Sequence, residues 1–273
     1  MDKHWTLETI PWDRFDAGKI DNDVLSIVKA AALVEVNSSD YVRYLDTVFR
    51  DDVAFRDAAR NWGEEEEQHG RALGRWAELA DPSFNFEDSL RRFRDGFRIA
   101  LDSETSVRGS RSAELIARCV VECGTSSFYS AIRDATDEPV LKDLCHRIAG
   151  DEFRHYQLFY RFYKRYRERE PLNLARRLWV AFTRVRESGD DEIAYAYYSA
   201  NDADAAYDRE RNSRLHMLYS GRVYRYGHVA RAVAMILKAC DVAPQGRLSR
   251  LLAKLVWQGV CWRNRRLEAR IAA

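Results

Sequence analysis

Residues 62–70 read WGEEEEQHG and residues 151–155 read DEFRH, and these two stretches are the most informative part of the sequence. Each contains the pattern Glu-x-x-His, formed by Glu66 and His69 in the first and by Glu152 and His155 in the second. Residues three apart on an α-helix face the same way. Each stretch therefore predicts a helix that presents a carboxylate and an imidazole to one point in space.

Each of these predicted helices follows another helix that carries a glutamate among apolar residues. Glu35 lies in AALVEVN and Glu122 in ARCVVECG, and the spacings from Glu35 to Glu66 and from Glu122 to Glu152 are nearly equal. One Glu from each of two helices and one Glu-x-x-His from each of two others is the two-metal carboxylate arrangement of ferritin-like bundles. The sequence thus predicts six metal ligands: Glu35, Glu66, His69, Glu122, Glu152 and His155.

The residue types suit this chemistry, because four carboxylates neutralise two divalent cations and the imidazoles leave positions open for dioxygen. Without metal, Glu35 and Glu122 would be buried carboxylates, which is costly. The alternative is a solvated surface, since a single Glu-x-x-His on a charged helix is usually exposed. Two copies together with two apolar-flanked glutamates favour the metal site, and a metal-free relative remains the main competing interpretation.

Helical periodicity dominates the rest of the chain, and the predicted fold class is all-α. We expect one domain over residues 1–273, with a ferritin-like four-helix bundle at about 21–170 and additional C-terminal helices at 171–273. The expected breaks in this last part are Gly189-Asp190-Asp191 and Pro244-Gln245-Gly246. The expected helices of the first part are about 22–49, 52–80, 86–101, 113–135 and 140–169, with a loop at 102–112.

The composition restricts partners and location. The 44 basic and 43 acidic residues nearly cancel, which argues against a nucleic-acid-binding protein. We find no apolar run of about 18 residues and no signal-peptide pattern, so we expect a cytoplasmic protein without a transmembrane segment. The five cysteines form no CxxC pair and are expected to be reduced thiols in the core.

With these residues assembled, the chain resembles the ferritin-like di-iron carboxylate superfamily and is most similar to the soluble acyl-carrier-protein desaturases. WGEEEEQHG resembles that family's W-x-x-E-E-x-R-H-G, although Gln68 replaces the arginine. The run IAGDEFRHYQLFY resembles its I-A-x-D-E-x-R-H-x-x-x-Y, and Glu122 to Thr125 is similar to its E-x-x-T. The resemblance covers about residues 25–170, so the last hundred residues and Gln68 leave the substrate in doubt.

The resemblance also implies a role for each residue. Glu66 and Glu152 would bridge two irons, Glu35 and His69 would complete one ion, and Glu122 and His155 the other. Glu65 and Asp151 would orient the histidines; solvent-facing carboxylates are the alternative. Thr125 would take part in oxygen activation as a catalytic residue; the alternative is a helix threonine that bonds back to a carbonyl.

The implied function is a dioxygen-activating di-iron oxidoreductase of desaturase or hydroxylase type, acting on a lipid-like or carrier-bound substrate. Two irons are expected, with manganese/iron as an option, and dioxygen is the co-substrate. Because no flavin, nicotinamide or rubredoxin pattern is present, we expect an external, ferredoxin-like electron donor. A homodimer is the family expectation. The alternatives are iron handling or peroxide scavenging, as in rubrerythrins and ferritins, and a metal-free scaffold or tRNA-binding relative.

Two further patterns have a plain and a functional interpretation. The aromatic residues of 153–163 and the pair Phe128 and Tyr129 favour core packing over a substrate tunnel. Residues 247–270 carry seven basic residues and one acidic residue among apolar ones. They favour an amphipathic packing helix with snorkelling arginines over a dock for an acidic carrier protein or a membrane.

Overall fold

A computed structural model describes residues 4–98, 103–187 and 191–271, and within them the chain is helical with no strand. Three short 3-10 turns, Leu7–Thr9, Trp12–Arg14 and Ala17–Lys19, precede the α-helices. The described α-helices are α1 (Asn22–Val36), α2 (Ser38–Val48), α3 (Val53–Ala80), α4 (Phe86–Gly96), α5 (Arg111–Ala135), α6 (Pro139–Tyr166), α7 (Leu174–Arg186), α8 (Asp191–Asn201), α9 (Arg209–Val223), α10 (Tyr226–Ala239) and α11 (Arg247–Ile271). The all-α prediction is confirmed.

The long helices begin where side chains satisfy their first backbone N–H groups. Asp21 accepts from the N–H groups of residues 23 and 24, Asp52 from that of Phe55, and Ser110 from that of Ala113. Glu138 caps α6, whose first residue is a proline, which needs no donor at that position. These caps fix the helix starts within two residues of the predicted ones.

The first predicted helix is wrong in one respect, because it is not continuous to Phe49. It breaks at Asn37, whose backbone departs from helical geometry with φ −80° and ψ 3°. The Asn37 backbone N–H still donates to the Val34 carbonyl oxygen at 3.1 Å, and its side-chain Nδ2 donates to Glu192 of α8 at 3.3 Å. The break lets α2 leave the direction of α1, and α4 likewise ends at Gly96, before the predicted limit of Leu101; residues 99–102 lie outside the described part.

Helices α1, α3, α5 and α6 pack side by side, with α1 against α3, α5 against α6, and α3 against α6. Two glycines of α3 permit the close approach of its neighbours. A Cβ on Gly63 would lie 2.4 Å from the Val42 side chain of α2, and one on Gly70 would lie 2.6 Å from the Ala32 carbonyl oxygen of α1. Both glycines lie on the face that carries Glu66, so the close packing brings this carboxylate against α1.

Two apolar clusters fill the bundle. One contains Leu33, Trp76, Ile132 and Leu144, and the other contains residues such as Phe159. Along α3 and α6 the predicted metal ligands separate these clusters, so the polar centre lies midway along the bundle with an apolar core on each side. Four of the five free cysteines are buried, as predicted for core thiols: Cys119, Cys123, Cys145 and Cys240.

The C-terminal helices cover the bundle on several sides. α7 and α10 pack on α5, α8 packs on α1 and α4, and α11 packs on α9 and α10. The predicted loop around Pro244 separates α10 from α11, whereas the break expected at Gly189 lies outside the described residues. Further breaks at 202–208 and 224–225 were not predicted. No helix of the described chain has the length and apolarity needed to cross a bilayer.

Candidate metal centre

The structure brings the six predicted ligands together at the centre of the bundle, and each is at most 8% exposed. They form two groups in which one donor atom of each residue lies within 4.8 Å of the others. The first group is Glu35, Glu66, His69 and Glu152; the second is Glu66, Glu122, Glu152 and His155. Glu66 and Glu152 belong to both groups, so two neighbouring cation positions would share them.

Both histidines turn the same ring nitrogen towards the carboxylates. His69 Nδ1 lies 3.3 Å from Glu152 Oε1 and 3.5 Å from Glu66 Oε2. His155 Nδ1 lies 3.1 Å from Glu66 Oε1 and 3.6 Å from Glu122 Oε2. The two Nε2 atoms point away from this centre, so both imidazoles direct one nitrogen inward.

The inward atoms lack hydrogen bonds of good geometry. His69 Nδ1, His155 Nδ1, both oxygens of Glu122 and Glu152 Oε1 are buried without such a partner. Buried polar atoms are rarely left unpaired, because each one costs free energy. Cations placed within the two groups would give these five atoms partners, and carboxylate oxygen with imidazole nitrogen suits iron or manganese.

The carboxylates that enter from α1 and α5 carry the electrostatic cost of this burial. Burial raises the pKa of Glu35 well above its usual range, and the nearby Glu66 charge adds to the rise. Burial likewise raises the pKa of Glu122 to about 8. Nearby cations would favour the charged form of both groups, which is the electrostatic role the sequence predicts for the metals.

The outward nitrogens of the histidines bind the two carboxylates that sequence reasoning assigned to them. His69 Nε2 lies 3.0 Å from Asp151 Oδ2, and His155 Nε2 lies 2.9 Å from Glu65 Oε2. The pairing crosses between helices, because Asp151 of α6 holds the histidine of α3 and Glu65 of α3 holds the histidine of α6. Such hydrogen bonds fix the orientation of a metal-binding imidazole.

The N-terminal segment contacts Asp151, and the sequence analysis did not predict this contact. Trp5 Nε1 donates to Asp151 Oδ2 at 2.7 Å, and the Trp5 ring stacks on the His69 ring at 5.8 Å between centroids. Gln68, which replaces the arginine of the resembled motif, donates to the Trp5 carbonyl oxygen at 3.0 Å. The unusual glutamine therefore holds the segment that closes over His69, and no local sequence signal connects Trp5 with a residue 146 positions away.

A third group of metal-binding residue types, His4, Glu65 and Asp151, lies beside the centre. Arg154 already occupies it, because its guanidinium lies 2.5 Å from Asp151 Oδ1 and 3.4 Å from Glu65 Oε2. A cation placed there would face this fixed positive charge. Glu65 and Asp151 are therefore better described as hydrogen-bond partners that orient the two histidines than as ligands of a further ion.

Two hydroxyl groups contact the central carboxylates. The Thr125 hydroxyl lies 2.5 Å from Glu152 Oε2 and also within 3.3 Å of the carbonyl oxygens of Val121 and Glu122. Thr125 therefore contacts a central carboxylate and also bonds back to its own helix. The Tyr129 hydroxyl donates to Glu35 Oε1, a contact that the sequence analysis did not assign. Its position seven residues after Glu122, two helical turns along the same face, is a signal that could have found it.

The aromatic residues after the α6 ligands are mainly core, as predicted. Tyr156, Phe159, Phe162 and Tyr163 are at most 5% exposed, whereas Phe153 is 44% exposed.

In comparisons with known proteins, the chain matches no protein-family model, and no curated protein is significantly similar to it. A function for this chain therefore has to come from its own residues and their geometry.

Proposed function

We propose that this chain is a ferritin-like, dioxygen-activating di-iron oxidoreductase of desaturase or hydroxylase type. The observation that carries the proposal is the pair of four-residue donor groups that share Glu66 and Glu152 at the centre of four packed helices. One glutamate comes from each of α1 and α5, and one Glu-x-x-His from each of α3 and α6. This distribution is that of ferritin-like two-metal carboxylate proteins.

The residues fit two divalent ions in charge and in ligand type. Glu35, Glu66, Glu122 and Glu152 supply four negative charges against four positive ones, and the histidines add one neutral ligand to each ion. Glu35 and His69 would hold one ion, Glu122 and His155 the other, with two carboxylates between. When bound, two irons supply the redox chemistry by which dioxygen oxidises an organic substrate.

The protein orients the imidazoles, places hydroxyl protons at the carboxylates and keeps water away from the centre. Asp151 and Glu65 hold the imidazoles, so the inward nitrogens keep their direction. The hydroxyl groups of Thr125 and Tyr129 each place a proton at a carboxylate oxygen of the centre. Apolar clusters on both sides exclude water, which strengthens every charge interaction inside.

The substrate class and the electron source follow from the same proposal. A lipid-like or carrier-bound hydrophobic substrate is proposed from the resemblance to the desaturases. The electrons would come from an external, ferredoxin-like donor, because the sequence carries no rubredoxin-type cysteine pair and no nucleotide-cofactor fingerprint. We also propose that the protein works in the cytoplasm, as a homodimer like members of the resembled family.

The decisive experiment compares the metal content of two matched variants on one helix. Glu66→Gln removes a shared ligand, whereas Glu64→Gln removes an exposed carboxylate two residues away. Purified wild-type protein and Glu64→Gln are expected to hold two irons per chain by elemental analysis. Glu66→Gln is expected to lose both, because each position depends on this residue.

Oxygen uptake then separates the candidate functions. With reduced, iron-loaded protein we expect consumption of about one dioxygen per pair of irons and continued uptake only when an electron donor is supplied. Accumulation of many ferric ions per chain would instead indicate iron storage. Folded wild-type protein without iron or manganese would refute the oxidoreductase and favour a metal-free scaffold.

A further inference from the structure

The outward faces of α7 and α11 expose an unusual number of large apolar side chains. Ten of the sixteen large hydrophobic residues that are at least 39% exposed in the described chain lie on these two helices. They are Leu174, Leu178, Trp179, Phe182 and Val185 on α7, and Leu248, Leu251, Leu255, Val256 and Trp262 on α11. Basic residues of the same two helices surround these ten side chains.

The spacing of these residues makes each set a stripe along its helix. Leu248, Leu251, Leu255 and Trp262 follow one another by three, four and seven positions, which keeps them on one side of α11. The opposite side of α11 faces the protein through small or single apolar residues, such as Ala253, 2% exposed, and Leu267, 7% exposed. The predicted packing helix α11 therefore packs against the protein through its less apolar side, and its more apolar stripe is exposed.

The charges on the two helices are almost all positive. α7 contains four arginines and no acidic residue, and α11 contains seven basic residues and one glutamate. The two helices together carry a formal charge of +10, so the rest of this chain of net charge +1 carries −9. Helical spacing places Arg247, Lys254 and Arg265 along one edge of the α11 stripe and Arg263 and Arg270 along the other.

Contacts join α7 to the end of α10, and α11 follows α10 in the chain. Arg177 of α7 lies 2.6 Å from Asp241, two residues after the end of α10, and its carbonyl oxygen lies 3.6 Å from Cys240 Sγ. The connection from Asp241 leads to the start of α11 at Arg247 within six residues. The start of α11 therefore lies within six residues of a contact with α7.

We propose that α7 and α11 dock this protein onto the surface of a bilayer that contains anionic phospholipid, with both helices lying along the interface. Leu, Phe and Trp on one side of a helix with Lys and Arg at its edges is the composition of interfacial helices, and Trp favours the headgroup level. The fluid acyl boundary accepts outward-pointing stripes without a complementary pocket. The absence of a spanning helix among the described residues agrees with surface binding.

The charge argues against a second copy of the chain on this face. In a symmetric dimer, each partner would bring the same two helices, of net charge +10, to the contact, and like charges across an interface disfavour association. An anionic lipid surface instead attracts juxtaposed Lys and Arg. This inference goes beyond the oxidoreductase and does not rest on it, because neither helix contributes a residue to the metal centre.

The test is flotation of the full-length, metal-loaded chain with phosphatidylcholine vesicles that contain or lack phosphatidylglycerol. We expect binding to the anionic vesicles, with a blue shift of tryptophan fluorescence and an affinity that falls as salt is added. A triple variant, Leu251→Ser, Leu255→Ser and Trp262→Ser, should lose at least tenfold in affinity. The matched control changes three exposed apolar residues elsewhere: Val53→Ser, Leu79→Ser and Val107→Ser.

Because all six substituted residues are at least 41% exposed, both triple variants should keep the wild-type melting temperature and metal content. This readout makes loss of vesicle binding distinguishable from failure of the metal centre. Three results would overturn the proposal. They are no binding to anionic vesicles at low salt, equal binding by both triple variants, or a wild-type oligomer in sedimentation that becomes monomeric only in the α11 triple variant. The last result would assign the face to a second copy.

Discussion

Replacing Glu122 by glutamine tests whether the centre is built for cations. Glu122 is 1% exposed, and neither of its oxygens has a hydrogen-bond partner. Burial raises its pKa to about 8, so in metal-free protein the charged carboxylate is disfavoured. Glutamine has nearly the shape of the protonated acid and does not titrate, which isolates the cost of the charge.

The magnitude follows from the difference between the folded and unfolded pKa. With a folded pKa raised from 4.5 to about 8, the folded state retains a proton that the unfolded state has released between these pH values. The contribution of Glu122 to the stability of metal-free protein therefore falls as the pH rises from 4.5 and stops falling above about 8. At pH 7 the loss is about 3 kcal/mol, taking ~1.4 kcal/mol for each pH unit.

The assay is urea unfolding in the presence of a chelator at several pH values. Glu122→Gln should equal wild-type near pH 4.5 and exceed it by about 3 kcal/mol at pH 7. Ferrous iron under anaerobic conditions should reverse the order, since only wild-type gains the stabilisation of a tightly bound ligand. The exposed Glu64→Gln is the control and should show no pH-dependent difference. A Glu122→Gln protein that is less stable than wild-type in chelator at pH 7 would refute the reasoning.

Four further substitutions test the packing, a partly buried charge pair and the support of the centre. Gly70→Ala should cost about 2 kcal/mol or more by chemical denaturation, because its Cβ would lie 2.3–2.8 Å from atoms of α1. Gly150→Ala meets nothing within 4 Å and should instead stabilise α6 by about 0.5–1 kcal/mol. Lys29 lowers the pKa of Asp81 to about 2, so the stability this pair gives is present above pH 4 and lost as the pH falls through about 2. Asp81→Asn should therefore cost about 1–2 kcal/mol at pH 7 and nothing near pH 2, after allowance for its partial exposure. Asp151→Asn should weaken iron binding about 10- to 100-fold in a metal titration while the protein stays folded.

Each of these expectations has an outcome that contradicts it. Equal stability of the two alanine variants would mean that α1 and α3 are not closely packed at Gly70. A cost of Asp81→Asn that persists at pH 2 would show that its charge is not responsible. For Asp151→Asn the control is Asp143→Asn, which lies on the same helix and pairs with Arg147; equal iron affinity of the two would deny Asp151 its role.

The clustering of the six candidate ligands could be predicted because it follows from local spacing. Glu-x-x-His fixes two side chains on one face, and apolar neighbours mark Glu35 and Glu122 as buried wherever the helices pack. The structure brings these side chains together without needing any unusual backbone. The starts of the long helices were also accessible, because their capping side chains lie within three residues of the N–H groups that they bind.

The contacts that the sequence analysis missed are those made across long separations. At the break in the first helix, the side-chain amide of Asn37 donates to Glu192, 155 residues later. Trp5 donates a hydrogen bond to Asp151 across 146 residues, and Tyr129 donates one to Glu35 across 94 residues. The exposure of the α11 stripe is also invisible in periodicity, because an amphipathic pattern does not say which face meets the protein.

The two halves of the centre repeat in their ligands and differ in their support. Asp151, which holds His69, has a side chain 2% exposed and is bonded by Trp5, whereas Glu65, which holds His155, is 32% exposed. The motif residue before each histidine differs in the same way, since Gln68 fastens the N-terminal segment and Arg154 faces Glu65. A hydrogen bond held away from water keeps more of its strength than one beside it. The imidazole of α3 is therefore held more firmly than that of α6, and the asymmetry arises from the partners that tertiary packing gives to a repeated sequence pattern.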